Sequence, residues 1–226
     1  MSIQPARHSH LTRQEQAIEG ELAQAGEYPR DRLHILHATQ IILPSDSPAT
    51  AVRRKPDSSI VKGLQLQKED KADAFISAGS TGAVMAASLF LLRPIPTVDR
   101  PAVSTILPTA GAPTLLIDAG ANVDCKPHHL VQFARLGAVY AQDVLNCETP
   151  RVGVLNIGEE PEKGDELAVA AHKLLSDSDL HFVGNVEGRD IVKGACDVLV
   201  TDGFAGNVLL KFYESVAGFM FSMLRK

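Results

Sequence analysis

Tryptophan is absent from this 226-residue chain, and cysteine occurs only three times. Cys125, Cys147 and Cys196 are odd in number and irregular in spacing, which argues against a disulfide framework. The opening residues, MSIQPARHSHLTRQEQ, lack the apolar core of a secretory signal, so none is expected. No uninterrupted apolar run approaches 20 residues, so no membrane span is expected either, and the expectation is a cytoplasmic protein. Basic runs are missing too: Arg53-Arg54-Lys55 is the densest cluster in a chain of net charge -5, which speaks against a nucleic-acid partner. Neither a G-x-x-x-x-G-K-[ST] loop nor a G-x-G-x-x-G loop occurs, and there is no internal repeat or low-complexity segment. What remains, 45% hydrophobic and 22% charged, is ordinary for a globular chain with room for one large domain or two small ones.

Short apolar runs alternate with longer stretches of helical period. Strands are expected at 33–38, 74–77, 102–107, 114–118, 152–157, 181–185 and 197–201. Helices are expected at 58–70, 80–93, 128–145, 164–175 and about 189–194, with a further terminal helix after the last strand. The connection TAGAP between 107 and 114 is too short for a parallel crossover and predicts an antiparallel hairpin. The pattern therefore predicts a three-layer α/β/α fold with a mostly parallel sheet, covered on both faces, and one antiparallel hairpin. Residues 44–57, with three prolines, read as a loop. Residues 1–30 read as a polar lead, helical or disordered, ahead of a single domain over 31–226.

Open parallel sheets bind ligands beyond the carboxyl ends of their strands. Here five successive turns after strand candidates are rich in small and polar residues: SAGSTG (77–82), DAGANVDCKP (118–127), NIGEEPEKG (156–164), GNVEGRD (184–190) and TDGFAGN (201–207). Any one of them is explained by turn-making alone; five together point to a site. In the first, two glycines and two hydroxyls stand where a strand candidate becomes a helix. Helix N-terminal amides are unpaired donors with partial positive charge, and glycine lets an anion approach the backbone. Ser80 and Thr81 either add hydroxyl donors or simply cap the helix, and both readings stay open. Lys126, Arg189 and Lys211 lie in or just after these turns as cations for an anionic ligand, or as solvated charges. Asn122, Asn156, Asn185 and Asn207 recur in four turns with amides able to donate to a phosphate or carbonyl oxygen.

Cys125 beside Lys126 could have a lowered pKa, yet no base lies near it in sequence. His128 and His129 are adjacent on a helix and make a poor metal pair, while His8 and His10 read as solvated. Asp118, Asp124 and Asp202 could gather a metal, but Asp is common at strand ends, and no metal or cofactor is expected. The last segment, AGNVLLKFYESVAGFMFSMLRK, draws a narrow polar stripe on an apolar helix. Such a helix is buried, paired with another subunit, or laid on a membrane.

These turns resemble one family closely. RRKPDSS (53–59), DAFISAGSTGAVMAA (73–87), DRPA (99–102), DAGANVDCKPHHL (118–130), RVGVLNIGEEPEKGDEL (151–167), FVGNVEGRD (182–190) and VTDGFAGNVLLK (200–211) resemble the fatty acyl-carrier-protein:phosphate acyltransferases, the PlsX family. The resemblance runs from about Arg32 to Lys226. It implies a fold akin to phosphate acetyltransferases and isocitrate-type dehydrogenases, usually as a homodimer held peripherally on the membrane through apolar helices. It implies transfer of an acyl group from acyl-carrier protein to inorganic phosphate. The family's opening strand and Asp-Ala-Met-Gly-Gly-Asp turn have no counterpart here, Ser80 stands where the family has Asn, and the chain stops inside a helical region, so a chain lacking its first strand and C-terminal end is expected. Acetyl-coenzyme A:phosphate acetyltransfer is the second enzyme reading, an isocitrate-type dehydrogenase the third, and an inactive chain that only dimerises or binds membranes the non-enzymatic one.

For that reaction no protein nucleophile is needed, because phosphate is already an anionic nucleophile. The residues fit as follows: Ser77, Gly79, Ser80, Thr81 and Gly82 for phosphate; Lys126 and Arg189 for charge; Asn156, Asn185 or Asn207 as donors to the thioester oxygen. Asp118, Asn122, Asp202 and Gly203 belong to the supporting turns.

Overall fold

The computed structural model describes residues 8–225, which fall into two compact units divided after Ile95. In the first unit, β1 (Ser9–Arg13) and α1 (Glu15–Ala25) precede β2 (Leu33–His37), α2 (Pro48–Arg54), α3 (Ser59–Lys68) and α4 (Thr81–Leu91). β1 and β2 pair in parallel, with Ser9 opposite Leu33 and Arg13 opposite His37. A single domain from residue 31 was the expectation; the division after Ile95 departs from it, and the lead departs from it too. Residues 1–7 lie outside those described, while 9–25 form a strand and a helix that belong with β2. The alternation in SHLTR is too polar to announce a strand, and only pairing with β2 makes it one.

Two further differences concern this unit. Within the expected loop 44–57, α2 forms because Pro48 occupies the first turn, where its missing N–H costs nothing. Its Ala51 and Val52 then join Ile42, Ile60, Leu64, Ala83 and Ala87 in a buried cluster. The expected strand at 74–77 is extended chain without ladder partners among the described residues, and Ile76 is 94% exposed. Apolar composition alone does not make a strand, because each backbone group needs a partner across the ladder. Phe75 instead lies where a Cβ on Gly63 of α3 would stand, so glycine there admits the ring.

The second unit comprises β3 (Ser104–Leu107), β4 (Thr114–Ile117), α5 (Pro127–Asp143), β5 (Val152–Asn156), α6 (Glu166–Ser176), β6 (Phe182–Glu187), α7 (Gly188–Ile191), β7 (Val198–Val200) and α8 (Gly203–Leu224). The five strands run in the order β3-β4-β7-β5-β6, parallel except for the β3–β4 hairpin. The predicted mixed α/β architecture with one antiparallel pair is therefore what forms.

Strand alternation sorts the core into two layers. Leu115, Ile117, Val152, Val154, Val198 and Val200 face a cluster with Leu130, Phe133, Ala134 and Ala138 of α5 and Ala171 and Leu175 of α6. Those α5 positions recur at three- and four-residue spacing, which brings one face to the sheet. Gly137 lets the helix approach closely, since a Cβ there would lie 2.6 Å from Val198. On the other face Leu116, Leu199 and Val186 pack with Ile191 of α7 and with Leu209, Leu210 and Tyr213 of α8. Burial of each large apolar side chain stabilises the sheet by roughly 1.5–3 kcal/mol. Where β5 and β7 begin, Arg151 clamps Asp197 with Nε and Nη2 at 3.1 and 2.9 Å. No helix among the described residues is long and apolar enough to cross a membrane.

Candidate functional site

In the second unit the turns after β4, β5 and β7 meet beyond the carboxyl edge of the sheet. The turn after β4 is organised by Asp118, whose side chain is fully buried. Its Oδ1 accepts from the backbone N–H of Val103, Gly120 and Ala121 at 3.2, 3.0 and 2.8 Å. Its Oδ2 accepts from Asn122 N and Nδ2 at 2.8 and 2.7 Å. Five donors satisfy the charge and leave it no role as a metal ligand. Asn122 Nδ2 also donates to Pro101 O at 2.8 Å, so this amide braces the turn.

The start of α8 lies directly against that turn. Gly203 N donates to Asn122 O at 2.7 Å. A Cβ at Gly203 would stand 2.7 Å from Asn122 N, and one at Gly206 only 1.8 Å from the Asp118 carbonyl oxygen. The glycines of TDGFAGN thus permit close approach of backbone to backbone. Asp202 caps α8, accepting from Phe204 N at 2.7 Å and Ala205 N at 3.1 Å. Asn207 is exposed and sits beside Gly120, where a Cβ would touch its side chain at 3.4 Å.

After β5 the sequence NIGEEPEKG folds back on itself. Asn156 Oδ1 accepts from Ile157 N and its Nδ2 donates to Lys163 O, both at 2.8 Å. Asn185, one strand over, donates from Nδ2 to Glu160 O at 2.7 Å, and its Oδ1 lies 2.9 Å from His172 Nδ1. Both asparagines are buried and hold the loop. Sequence spacing offered them as free donors to a substrate oxygen; folding commits an N–H of each to a loop carbonyl, because a buried amide must find partners.

Arg189 departs from the expectation in a different way. Its Nε pairs with Glu187 at 2.8 Å and lies 3.7 Å from Asp190, so its charge is balanced where it stands. Lys211 likewise pairs with Glu214 at 2.9 Å. Lys126, the residue before α5, is exposed and has no acidic partner among the described residues. Cys125 donates to Asn122 O at 3.4 Å, and burial, then the carboxylates of Asp118 and Asp202, push its thiol up to about 11. It is a protonated thiol at neutral pH and no nucleophile.

Between these loops lies a pocket of about 430 Å³. Leu130, Val154 and Leu167 give it an apolar floor, while Asn156, Thr201 and Asp202 place polar groups on its wall. Asp165 lines it too, capping α6 through Ala168 N at 2.8 Å. Both acidic caps facing the pocket are consumed on one oxygen by helix amides. The sequence did not single out the apolar lining, since floor residues are indistinguishable from core until the loops are placed.

Asp99, His128 and His129 bring potential ligand atoms within 4.8 Å of one another. However, His129 Nδ1 accepts from Lys126 N at 3.0 Å, which puts its proton on Nε2. Metal binding by Nε2 would move that proton to Nδ1 and cost the capping bond from Lys126 N, so the trio does not suit a cation.

The glycine-hydroxyl loop belongs to the first unit. Gly79 N donates to Ser77 Oγ at 3.1 Å, and Ser80 Oγ accepts from Ala83 N at 3.4 Å as the cap of α4. Ser77, Gly79, Thr81 and Gly82 are exposed. Capping and open helix amides are both realised here.

A mixed sheet with small, polar turns gathered at its carboxyl edge defines the α/β class, and solved phosphotransacetylases share this fold. One from Staphylococcus aureus aligns at a TM-score of 0.63 and 18% identity, covering 91% of this chain and 73% of its own. Another from Streptococcus pyogenes aligns at 0.64 and 14% identity over the same shares. A family model described as "Fatty acid synthesis protein" matches residues 4–226, and the chain belongs to that family. Among curated relatives, the phosphate acyltransferase of Salinibacter ruber is 51% identical over 213 residues, 94% of this chain and 63% of the relative. That of Halothermothrix orenii is 54% identical over 200 residues, 88% and 60% respectively. The chain thus spans less than two thirds of the length of these relatives.

Proposed function

We propose that this chain serves transfer of a fatty acyl group from acyl-carrier protein to inorganic phosphate, giving an acyl phosphate for phospholipid synthesis. The observation that carries the reading is the pocket of the second unit: an apolar floor with a polar wall suits an acyl chain ending in a thioester. Half-identical relatives named phosphate acyltransferase support it. In the reaction a phosphate oxygen attacks the thioester carbonyl carbon, the C–S bond breaks, and the carrier leaves as its thiol after taking a proton. Phosphate needs no activation, so the protein has to orient and to stabilise the oxyanion; orientation alone is worth up to about 7–11 kcal/mol.

In the second unit the exposed cation of Lys126 and the exposed amide of Asn207 are the groups we assign to developing negative charge. Asn156 and Asn185 shape the loop around the acyl group, and Arg189 supports that loop's neighbour through Glu187. In the first unit the open amides and hydroxyls of Gly79, Ser80, Thr81 and Gly82, with Ser77 behind them, form the receptor for phosphate. The apolar face of α8, where Phe212 and Phe219 are more than 60% exposed, is the surface we assign to a homodimer contact and to peripheral attachment at the cytoplasmic membrane face.

The test is phosphate-dependent release of free carrier protein from palmitoyl-acyl-carrier protein, run beside acetyl-coenzyme A as donor. Release that requires phosphate and prefers the carrier donor is expected. Preference for acetyl-coenzyme A would replace the substrate, and no release with either donor from a chain folded by circular dichroism would overturn the reading. Replacing Ser80 and Thr81 together by Ala is expected to raise the KM for phosphate while kcat at saturating phosphate changes less.

A further inference from the structure

In the first unit α2 and α4 lie side by side and run the same way. Their inner faces meet in one buried cluster, through Ala51 and Val52 on α2 and Ala83 and Ala87 on α4. At the starting end, a Cβ on Gly82 would stand 3.0 Å from Cγ of Pro48. At the far end, the guanidinium carbon of Arg53 sits 4.7 Å from the centroid of the Phe90 ring. Because Ala51 and Val52 turn inward, Arg53 and Arg54 are left outside, and both are exposed. Arg93 follows the end of α4, three residues past Phe90, and is exposed too.

No carboxylate among the described residues pairs with any of these three arginines. Those of the neighbouring segments are already committed, Asp46 to Lys55 at 2.6 Å and Asp57 to Lys62 at 2.5 Å. Solvation accounts for exposed arginines taken singly, but a guanidinium stacked on an aromatic ring is held in place with its donors open. Arg93 has a φ of 66°, a left-handed conformation in which helix ends ordinarily place glycine. The turn would be better served by glycine, so the side chain accounts for the residue. The same end of α4 exposes Leu89, Phe90 and Leu92. Arginine beside exposed aromatic and aliphatic groups is the make-up of a protein-recognition surface, and its charge asks for carboxylates. The acyl transfer proposed above, on which this step rests, needs a protein donor whose thioester reaches the phosphate loop. α4 starts in that loop and ends at the arginines, about 12 Å along the helix from Gly82 to Phe90. A membrane could also meet arginines beside apolar side chains, but it has no thioester to deliver there.

We propose that Arg53, Arg54 and Arg93 form a docking surface for a carboxylate-rich face of the carrier protein. The test is fluorescence anisotropy of labelled palmitoyl-acyl-carrier protein titrated with the chain, at low and at raised salt. Binding by the wild-type chain that weakens as salt screens the charges is expected. The double variant Arg53→Glu/Arg54→Glu should weaken it by at least about tenfold and Arg93→Glu by about threefold. Lys173→Glu, the same reversal at an exposed position of α6, should change it by less than about twofold. Arg53→Gln/Arg54→Gln, which removes the charge without reversing it, should fall between wild type and the double reversal. All these side chains are exposed, so the variants should keep the wild-type circular dichroism spectrum. Unchanged affinity in the double reversal, equal weakening by Lys173→Glu, or no binding by the wild-type chain would overturn the proposal. So would a double reversal that loses binding to phosphatidylglycerol vesicles while keeping the carrier, which would give the surface to a membrane. Phosphate-dependent transfer by the wild-type chain is measured in parallel from palmitoyl-pantetheine, a donor without the carrier. Transfer from it beside failed docking removes only the docking surface; docking without transfer from either donor leaves that surface standing and fails the acyl-transfer reading.

Discussion

In the turn after β4 the Asp118 carboxylate takes five hydrogen bonds and is fully buried, and two glycines of α8 are pressed onto its backbone. In the loop before α4 the same small and polar residue types stand mostly exposed, with one cap bond at 3.4 Å and one at 3.1 Å from Gly79. Both segments read alike as sequence: Gly, Ala, Ser, Asn and Asp at the junction of an apolar run and a helix. The first uses glycine because backbone meets backbone. The second uses it to leave amides uncovered. A rigid turn fixes where a substrate's reacting group is held, whereas an open one keeps donors available for an anion.

The largest way to break this contrast is Asp118→Ala. It removes the acceptor of five hydrogen bonds, two of them buried, and at roughly 1–3 kcal/mol per unsatisfied buried group it should cost at least about 2 kcal/mol in urea unfolding. A loss below 1 kcal/mol would mean that water or backbone replaces the carboxylate readily, and the turn is not built on it. Next comes Gly206→Ala, whose Cβ would lie 1.8 Å from the Asp118 carbonyl oxygen. Overpacking of that kind should cost about 2–3 kcal/mol, read from the same melts. Ser80→Ala, at the other turn, removes only a long cap bond, and a loss of about 0.5–1 kcal/mol is expected. The smallest effect should be that of Gly82→Ala. Its Cβ meets only the edge of the Pro48 ring at 3.0 Å, and helix propensity compensates, so stability should stay within about 0.5 kcal/mol. If Gly82→Ala cost as much as Gly206→Ala, the open loop would be as tightly built as the buried turn and its amides unavailable.

Much of the fold was legible because it is written locally. The three- and four-residue spacing of Leu130, Phe133, Gly137 and Ala141 marks α5 whatever surrounds it, and the short link at 108–113 leaves β3 and β4 no arrangement but a hairpin. The misses have nonlocal causes. Residues 74–77 have a strand's composition and no ladder partner among the described residues, and Ser9–Arg13 have little of a strand's composition and a neighbour in β2. Pro48 looked like a loop residue because proline breaks a helix everywhere except in its first turn.

For the candidate site, the turns were legible and the roles within them were not. That Asn156 and Asn185 face loop carbonyls, that Arg189 is matched by Glu187, and that Lys126 has no acidic partner among the described residues, depends on which segments lie alongside. The sequence by itself determined the alternation of strands and helices and the placement of small polar residues after the strands, since both follow from periodicity and backbone freedom. Only the tertiary structure decided the order β3-β4-β7-β5-β6 and the apolar pocket beneath the loops. Those features join residues far apart in the chain. A side chain's donors, charge and lone pairs are committed or left free by whatever packs against them, and that neighbour is not written beside the residue.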